Sequence, residues 1–183
     1  KGPIADQIAN EMEKNGGLIT KADLAAYKAV ERQPVSGTYR GYEVYSMPAP
    51  SSGGIHIIQI LNILENFDLK SMGQNSADAI HVMSEAMKFA YADRSEYLGD
   101  PDFVTVPVGA LTSKEYAKSL AAKIDMNKAR PSSEIRPGKL APYESDQTTH
   151  YSVVDSQGNA VAVTYTLNTN FGSGIVAGSS GIL

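Results

Sequence analysis

Two β-like runs near the C-terminus, Thr149–Asp155 and Ala160–Thr166, constrain this chain more than any other feature. Between them sits Ser156-Gln157-Gly158, which predicts a three-residue hairpin loop with Gly158 in the left-handed conformation, closing a type I turn with a bulge. If Asp155 pairs with Asn159, the register follows. One face then carries Thr148, His150, Ser152, Ala162, Thr164 and Thr166, and the other carries Thr149, Tyr151, Val153, Val161, Val163 and Tyr165. Thr148 stands opposite Thr166, with Cβ atoms roughly 4.5–5.5 Å apart, and Asn168 returns to the same face if the strand continues. A slip of one residue would set Thr148 against Leu167 and dissolve the group.

Upstream of the hairpin, from about Arg130 to Gln147, runs a polar segment with Pro131, Pro137 and Pro142 and no apolar periodicity. A connection that long is usually functional or disordered. It ends at Thr148, whose hydroxyl is a poor nucleophile until a base takes its proton. One solution is a threonine whose own freed α-amine acts as that base. An unperturbed α-amine has a pKa of about 7.7–8.0, so it can accept the proton near neutral pH and return it. This chemistry requires the Gln147–Thr148 bond to be cut. The plainer alternative is a β-branched residue starting a strand, and Thr166 and Asn168 taken singly also fit ordinary strand positions.

Other motifs point elsewhere only weakly. Ser51-Ser52-Gly53-Gly54 reads as a helix N-cap with a tight turn rather than an anion site. Gly172-Ser173-Gly174 lacks the remaining glycine and the context of a dinucleotide loop. His56, His81 and His150 show no metal-ligand spacing. His81 and Glu85 share a helix face, as an ordinary surface or core pair would. Asp93, Arg94, Glu96, Asp100 and Asp102 read as a solvated charged patch or ion-pair network around a helix end.

The rest of the chain is helical in its first part. An amphipathic helix is expected from Pro3 to about Lys14, with Ile4, Ile8, Met12 and Ala5 or Ala9 inward. Thr20 caps a short helix containing Leu24 and Tyr27. Val30–Tyr39 and Tyr42–Ser46 form a strand pair about Arg40-Gly41. Residues 47–54 make a rigid loop that opens a helix from about Ile55 to Asn66. Ser76 caps a helix from Ala77 to about Leu98, with Ala79, Ile80, Met83, Met87, Ala90, Tyr91 and Arg94 along its inner stripe. Thr112 and Glu115 form a capping box for a helix to about Ile124. Helices first and strands last indicate an α+β fold.

Composition narrows the function classes. A formal charge of −4 offers no basic patch for nucleic acid or anionic lipid, and no apolar run approaches the roughly 20 residues of a membrane span. The absence of cysteine excludes disulfides and thiolate catalysis. Lys1-Gly2-Pro3 leads directly into a helix without an initiator Met or signal peptide, and an apolar run begins at Gly181-Ile182-Leu183; both suggest a piece of a longer protein.

The segment Gln147-Thr148-Thr149-His150-Tyr151-Ser152-Val153-Val154-Asp155 resembles the processing site of γ-glutamyltranspeptidases (γ-glutamyltransferases), which are N-terminal-nucleophile hydrolases. Tyr39-Arg40-Gly41-Tyr42, Pro48-Ala49-Pro50-Ser51-Ser52-Gly53-Gly54, Tyr91-Ala92-Asp93-Arg94 and Leu98-Gly99-Asp100-Pro101 are similar to the same family. The likeness covers essentially the whole chain and is nearest to the bacterial exported enzymes.

That resemblance implies a partial αββα sandwich and a cofactor-free enzyme cut between Gln147 and Thr148. Residues 1–147 would be the later part of a large subunit and 148–183 the start of a small one, within one incomplete domain. Thr148 matches the nucleophile, Thr166 the threonine that hydrogen-bonds it, and Asn168 a residue that holds the glutamyl α-amino group. The implied substrates are glutathione and other γ-glutamyl amides, with water, amino acids or peptides as acceptors. The implied partner is the other subunit of the same precursor, and the implied location is periplasmic or extracellular. The family's substrate-carboxylate arginine would lie before Lys1, and its oxyanion glycines after Leu183. Because an oxyanion donor is commonly worth about 10²–10³ in rate, this segment alone should be almost inactive. A related acylase or hydrolase on the same scaffold, or an inert module keeping the fold, are the alternatives.

Overall fold

The computed structural model describes residues 1–138, 149–165 and 171–183. The chain divides into two compact units, residues 32–144 and residues 1–31 with 145–183.

The unit of residues 32–144 is built around one helix. Strands β1 (Val35–Tyr39) and β2 (Tyr42–Ser46) pair antiparallel through Arg40 and Gly41. Both turn residues have positive φ, 49° and 86°, as the tight hairpin requires. The first strand starts at Val35 rather than Val30, because Pro34 has no N–H to extend a ladder. Helix α3 (Ser52–Leu64) follows, capped by the Ser51 hydroxyl, which accepts from the Gly53 N–H at 3.1 Å. It begins three residues earlier than the sequence suggests, drawing Gly53 and Gly54 into its first turn. A side chain at Gly54 would strike the Met47 carbonyl and Val35, and one at Gly37 would strike Ile58, so glycine lets the strands lie directly on the helix.

Four further helices follow, α4 (Leu69–Met72), α5 (Ala77–Tyr97), α6 (Val108–Leu111) and α7 (Lys114–Ala121), of which α5, α6 and α7 pack on α3 and α4 on α5. One core cluster joins Ile63 and Leu64 of α3 to Val82, Ala86 and Phe89 of α5 and to Leu120 of α7. A second sets Ile55 and Ile58 against Val35, Tyr97, Leu98 and Leu111.

Several expectations are corrected here. The α5 stripe is rotated: Val82, Ala86, Phe89, Asp93 and Tyr97 are buried with Ala79, Ala90 and Arg94, whereas Ile80, Met83, Met87 and Tyr91 are exposed. Both stripes are apolar, and the small residues Ala79, Ala86 and Ala90 let neighbouring helices approach closely on their side. Helix α7 is capped by Ser113, whose hydroxyl accepts from the Tyr116 N–H at 3.1 Å, while the Thr112 hydroxyl donates to the Val108 carbonyl at 2.8 Å. The charged patch is not uniformly solvated, since Asp93 and Arg94 are buried. Asp102 does form an exposed ion pair with Arg32. The segment after Arg130 contains a 3₁₀ turn, Ser132–Glu134, and buries Ile135 in the first core cluster.

The other unit holds α1 (Pro3–Asn15), ended by Gly16 in the left-handed conformation, and α2 (Lys21–Ala26). Thr20 and Asp23 form a reciprocal capping box on α2; Tyr27 lies just beyond that helix and is exposed. In α1 only Ala5 is buried, and Ile4 is exposed. The unit also carries strands β3 (Thr149–Val154) and β4 (Ala160–Tyr165).

Candidate functional site

Strands β3 and β4 pair antiparallel in the register that the loop chemistry demands: Val154 with Ala160, Val153 with Val161, Ser152 with Ala162, Tyr151 with Val163, His150 with Thr164 and Thr149 with Tyr165. The loop explains why. The Asp155 N–H donates to the Asn159 carbonyl at 3.0 Å and the Gly158 N–H to the Asp155 carbonyl at 3.2 Å, with Gly158 at φ 84°. The Asp155 carboxylate accepts from the backbone N–H groups of Gln157 and Asn159 and from the Asn159 side chain. Led by the Asn159 side chain, these donors hold its carboxyl below the ordinary carboxylate range.

The four residues on which the proposed chemistry depends, Gln147, Thr148, Thr166 and Asn168, lie outside the described residues. What the described ladder supplies is its far end, where Thr149 and Tyr165 pair. These are the sequence neighbours of Thr148 and Thr166.

A buried polar cluster in the other unit escapes sequence reasoning. Asp93, 1% exposed, accepts three hydrogen bonds: from the Gln59 amide at 2.5 Å, from the Tyr116 hydroxyl at 2.8 Å and from the Gly138 N–H at 2.8 Å. The Tyr97 hydroxyl donates to the Gly138 carbonyl. Because the Gln59 NH₂ is committed to Asp93, its oxygen faces His56 Nδ1 at 2.8 Å, and His56 therefore carries its proton on Nδ1. Burial pushes the His56 pKa down, with the neighbouring Arg94 charge acting in the same direction and the Gln59 bond and Asp93 charge opposing. Burial also raises both phenols, Tyr97 to about 12, with the Asp93 charge adding to the effect. The signal was present in α3: His56, Gln59 and Asn62 recur every third residue along an otherwise apolar helix.

The weak motifs behave as structural elements. Ser51 is an N-cap, and the Ser173 hydroxyl accepts from the Ile175 N–H within a turn. His81 Nε2 meets the Asp125 carbonyl, and Glu85 pairs with Lys88. Among the described residues no group of three His, Asp or Glu is placed to hold a metal, and no helix is long and apolar enough to cross a membrane.

Comparison with known proteins supplies the family. The family described as Gamma-glutamyltranspeptidase matches residues 1–183. A "Glutathione hydrolase proenzyme" of Escherichia coli K12 is 79% identical over 183 residues, all of this chain and 32% of that protein. The crystal structure of Helicobacter pylori gamma-glutamyltranspeptidase is 53% identical, superposes with a TM-score of 0.70, and shares 75% of this chain and 40% of its own. A cephalosporin acylase from Bacillus halodurans is 33% identical with a TM-score of 0.79, over 98% of this chain and 31% of that one. The chain thus spans about a third of the length of the curated relatives it matches.

Proposed function

The chain belongs to the gamma-glutamyltranspeptidase family, and we propose that it is the self-processing segment of a γ-glutamyl acyltransferase or hydrolase whose nucleophile is Thr148. The family match over all 183 residues carries this reading. The hairpin supports it, because its described ladder ends with Thr149 paired to Tyr165, the sequence neighbours of Thr148 and Thr166.

Maturation begins when the Thr148 hydroxyl attacks the Gln147 carbonyl. The C–N bond breaks as the C–O bond forms, and the proton passes from oxygen to the new amine. Water then opens the ester, leaving a Gln147 carboxylate and a free Thr148 α-amine. In turnover that amine takes the hydroxyl proton as oxygen attacks a γ-glutamyl amide, and it returns the proton to the departing amine. Water, or the amine of an amino acid or peptide, resolves the acyl-enzyme. Thr166 hydrogen-bonds the Thr148 hydroxyl and Asn168 holds the glutamyl α-amino group. No cofactor enters.

Residues 1–147 end a large subunit and 148–183 begin a small one, the two forming a heterodimer from one precursor in the periplasm or outside the cell. The β3–β4 ribbon belongs to the paired sheets of an αββα sandwich. Its exposed Tyr151, Val153, Val161 and Tyr165 form the kind of apolar face that a neighbouring layer covers. The likeness to the cephalosporin acylase favours a second reading, hydrolysis of a related acyl amide by the same nucleophile.

Intact-mass analysis of the full-length precursor tests the proposal. Cleavage between Gln147 and Thr148 is expected, with Thr148→Ala remaining whole and losing turnover by a factor of about 10⁴ or more, as for other deleted nucleophiles. A folded wild-type precursor that stays intact would sink it and favour an inert module. Assay of the cut enzyme on γ-glutamyl and cephalosporin-type amides separates the two enzyme readings.

A further inference from the structure

The segment leading to the processing site is strapped along α5. At its start, the Glu85 carboxylate accepts from the Arg130 N–H at 3.2 Å, and the Lys88 ammonium donates to the Arg130 carbonyl at 2.8 Å. The Arg130 guanidinium lies 5.8 Å from the centre of the Phe89 ring. Midway, Ile135 enters the core. At the end, both backbone groups of Gly138 are gripped: its N–H by Asp93 and its carbonyl by the Tyr97 hydroxyl. The Tyr116 hydroxyl, which also donates to Asp93, occupies the space a Cβ at position 138 would need. One buried carboxylate thus ties α3, through Gln59, and α7, through Tyr116, to a single backbone position.

From these contacts we propose that Asp93, Tyr97 and Tyr116 form a clamp on Gly138, acting as positioning residues for cleavage at Gln147–Thr148. The inference rests on the self-processing reading above. The clamp holds the backbone nine positions before Gln147 in the sequence. The scissile carbonyl must meet the Thr148 hydroxyl in an attack-ready geometry, and a chain held upstream keeps a larger fraction of precursors in that geometry. Without the clamp the nearest held residue is Ile135, buried in the core, three positions further from Gln147. Loop-closure scaling over twelve residues instead of nine then dilutes the productive geometry about 1.5-fold, and loss of orientation at position 138 adds to this.

The test is a time course of self-cleavage by the full-length precursor, read by gel and intact mass. Melting temperatures are taken in a Thr148→Ala background, and kcat/KM is expressed per cleaved molecule. Gly138→Ala, which pushes against Tyr116, is expected to slow cleavage about 1.5-fold or more. Adding Tyr116→Phe, which removes the obstructing oxygen, should restore part of the rate. An eight-residue Gly/Ser insertion between Gly138 and Lys139 leaves every clamp contact in place; it should slow cleavage about two- to threefold with the melting temperature unchanged. Mature kcat/KM should stay at the wild-type value in all three.

Wild-type cleavage rates for both Gly138→Ala and the insertion would overturn the clamp. Slowing by Gly138→Ala that only follows a lower melting temperature, with no effect of the insertion, would overturn it too, leaving these residues structural. A wild-type precursor that never divides would defeat the self-processing reading first, which distinguishes the two failures.

Discussion

Helix α3 and the β3–β4 ribbon are both rich in apolar residues, yet they meet opposite environments. In α3, Ile55, Ile58 and Ile63 are almost wholly enclosed, and even the polar His56, Gln59 and Asn62 are buried. In the ribbon, Tyr151 and Val153 on one strand and Val161 and Tyr165 on the other are more than half exposed. Among the described residues of the ribbon's unit, the buried apolar side chains are Ala5 and Ala177. A two-stranded ribbon is marginal by itself. The difference teaches that local sequence can set a hairpin's register without supplying the packing that encloses its apolar face.

The contrast can be broken first at the enclosed end. Ile63→Ala in the full-length precursor should cost about 2–5 kcal/mol, because it leaves a cavity where α3, α5 and α7 meet. Ile4→Ala on the exposed face of α1 should shift stability by less, and chemical denaturation of both variants measures the gap. Next is the ribbon. If its face is covered in the whole protein, Val153→Ser with Val161→Ser should cost about 1–3 kcal/mol. A change within about 0.5 kcal/mol would mean these valines are ordinary surface residues and would break the proposed layer.

Smaller effects sharpen the picture within the enclosed unit. Ser113→Ala should cost about 1 kcal/mol through loss of the α7 cap, and more than Thr112→Ala, in the same denaturation assay. His56 gives a pH signature. Its folded pKa is depressed below the unfolded value of about 6.5, so the unfolded chain binds a proton that the folded one refuses. The stabilisation from keeping it neutral is complete above about pH 6.5 and is lost as pH falls toward the folded pKa. The melting temperature of the wild-type precursor should therefore drop more steeply between pH 7 and 5 than that of His56→Asn.

Legibility followed how local each determinant was. The ribbon's register was readable because Gly158 and the Asp155–Asn159 pairing set the turn, and alternation then assigns every later position. The boundaries of α5 were readable from Ser76 and the apolar period, but its inner face was not. Two apolar stripes competed, and only the packing of α3 and α7 against Val82, Ala86 and Phe89 chose between them. The same holds for the cap of α7, where Thr112 and Ser113 are adjacent candidates and the end of α6 claims the first hydroxyl. Thr148, Thr166 and Asn168 came from motif and register together, whereas the Asp93 cluster joins residues from 59 to 138, and its local trace is confined to the polar repeat His56, Gln59 and Asn62 in α3.

By itself, then, the order of residues determined the elements, their caps in large part, the strand register and the family to which the chain belongs. These depend on backbone preferences and on neighbours a few positions apart. Tertiary structure decided which stripe of α5 is buried, why Asp93 can sit nearly dry, and that the polar stretch after Arg130 is held against a helix. A buried carboxylate persists only where donors arrive from distant parts of the chain, and the Gln59 amide, the Tyr116 hydroxyl and the Gly138 N–H meet only after the helices have packed.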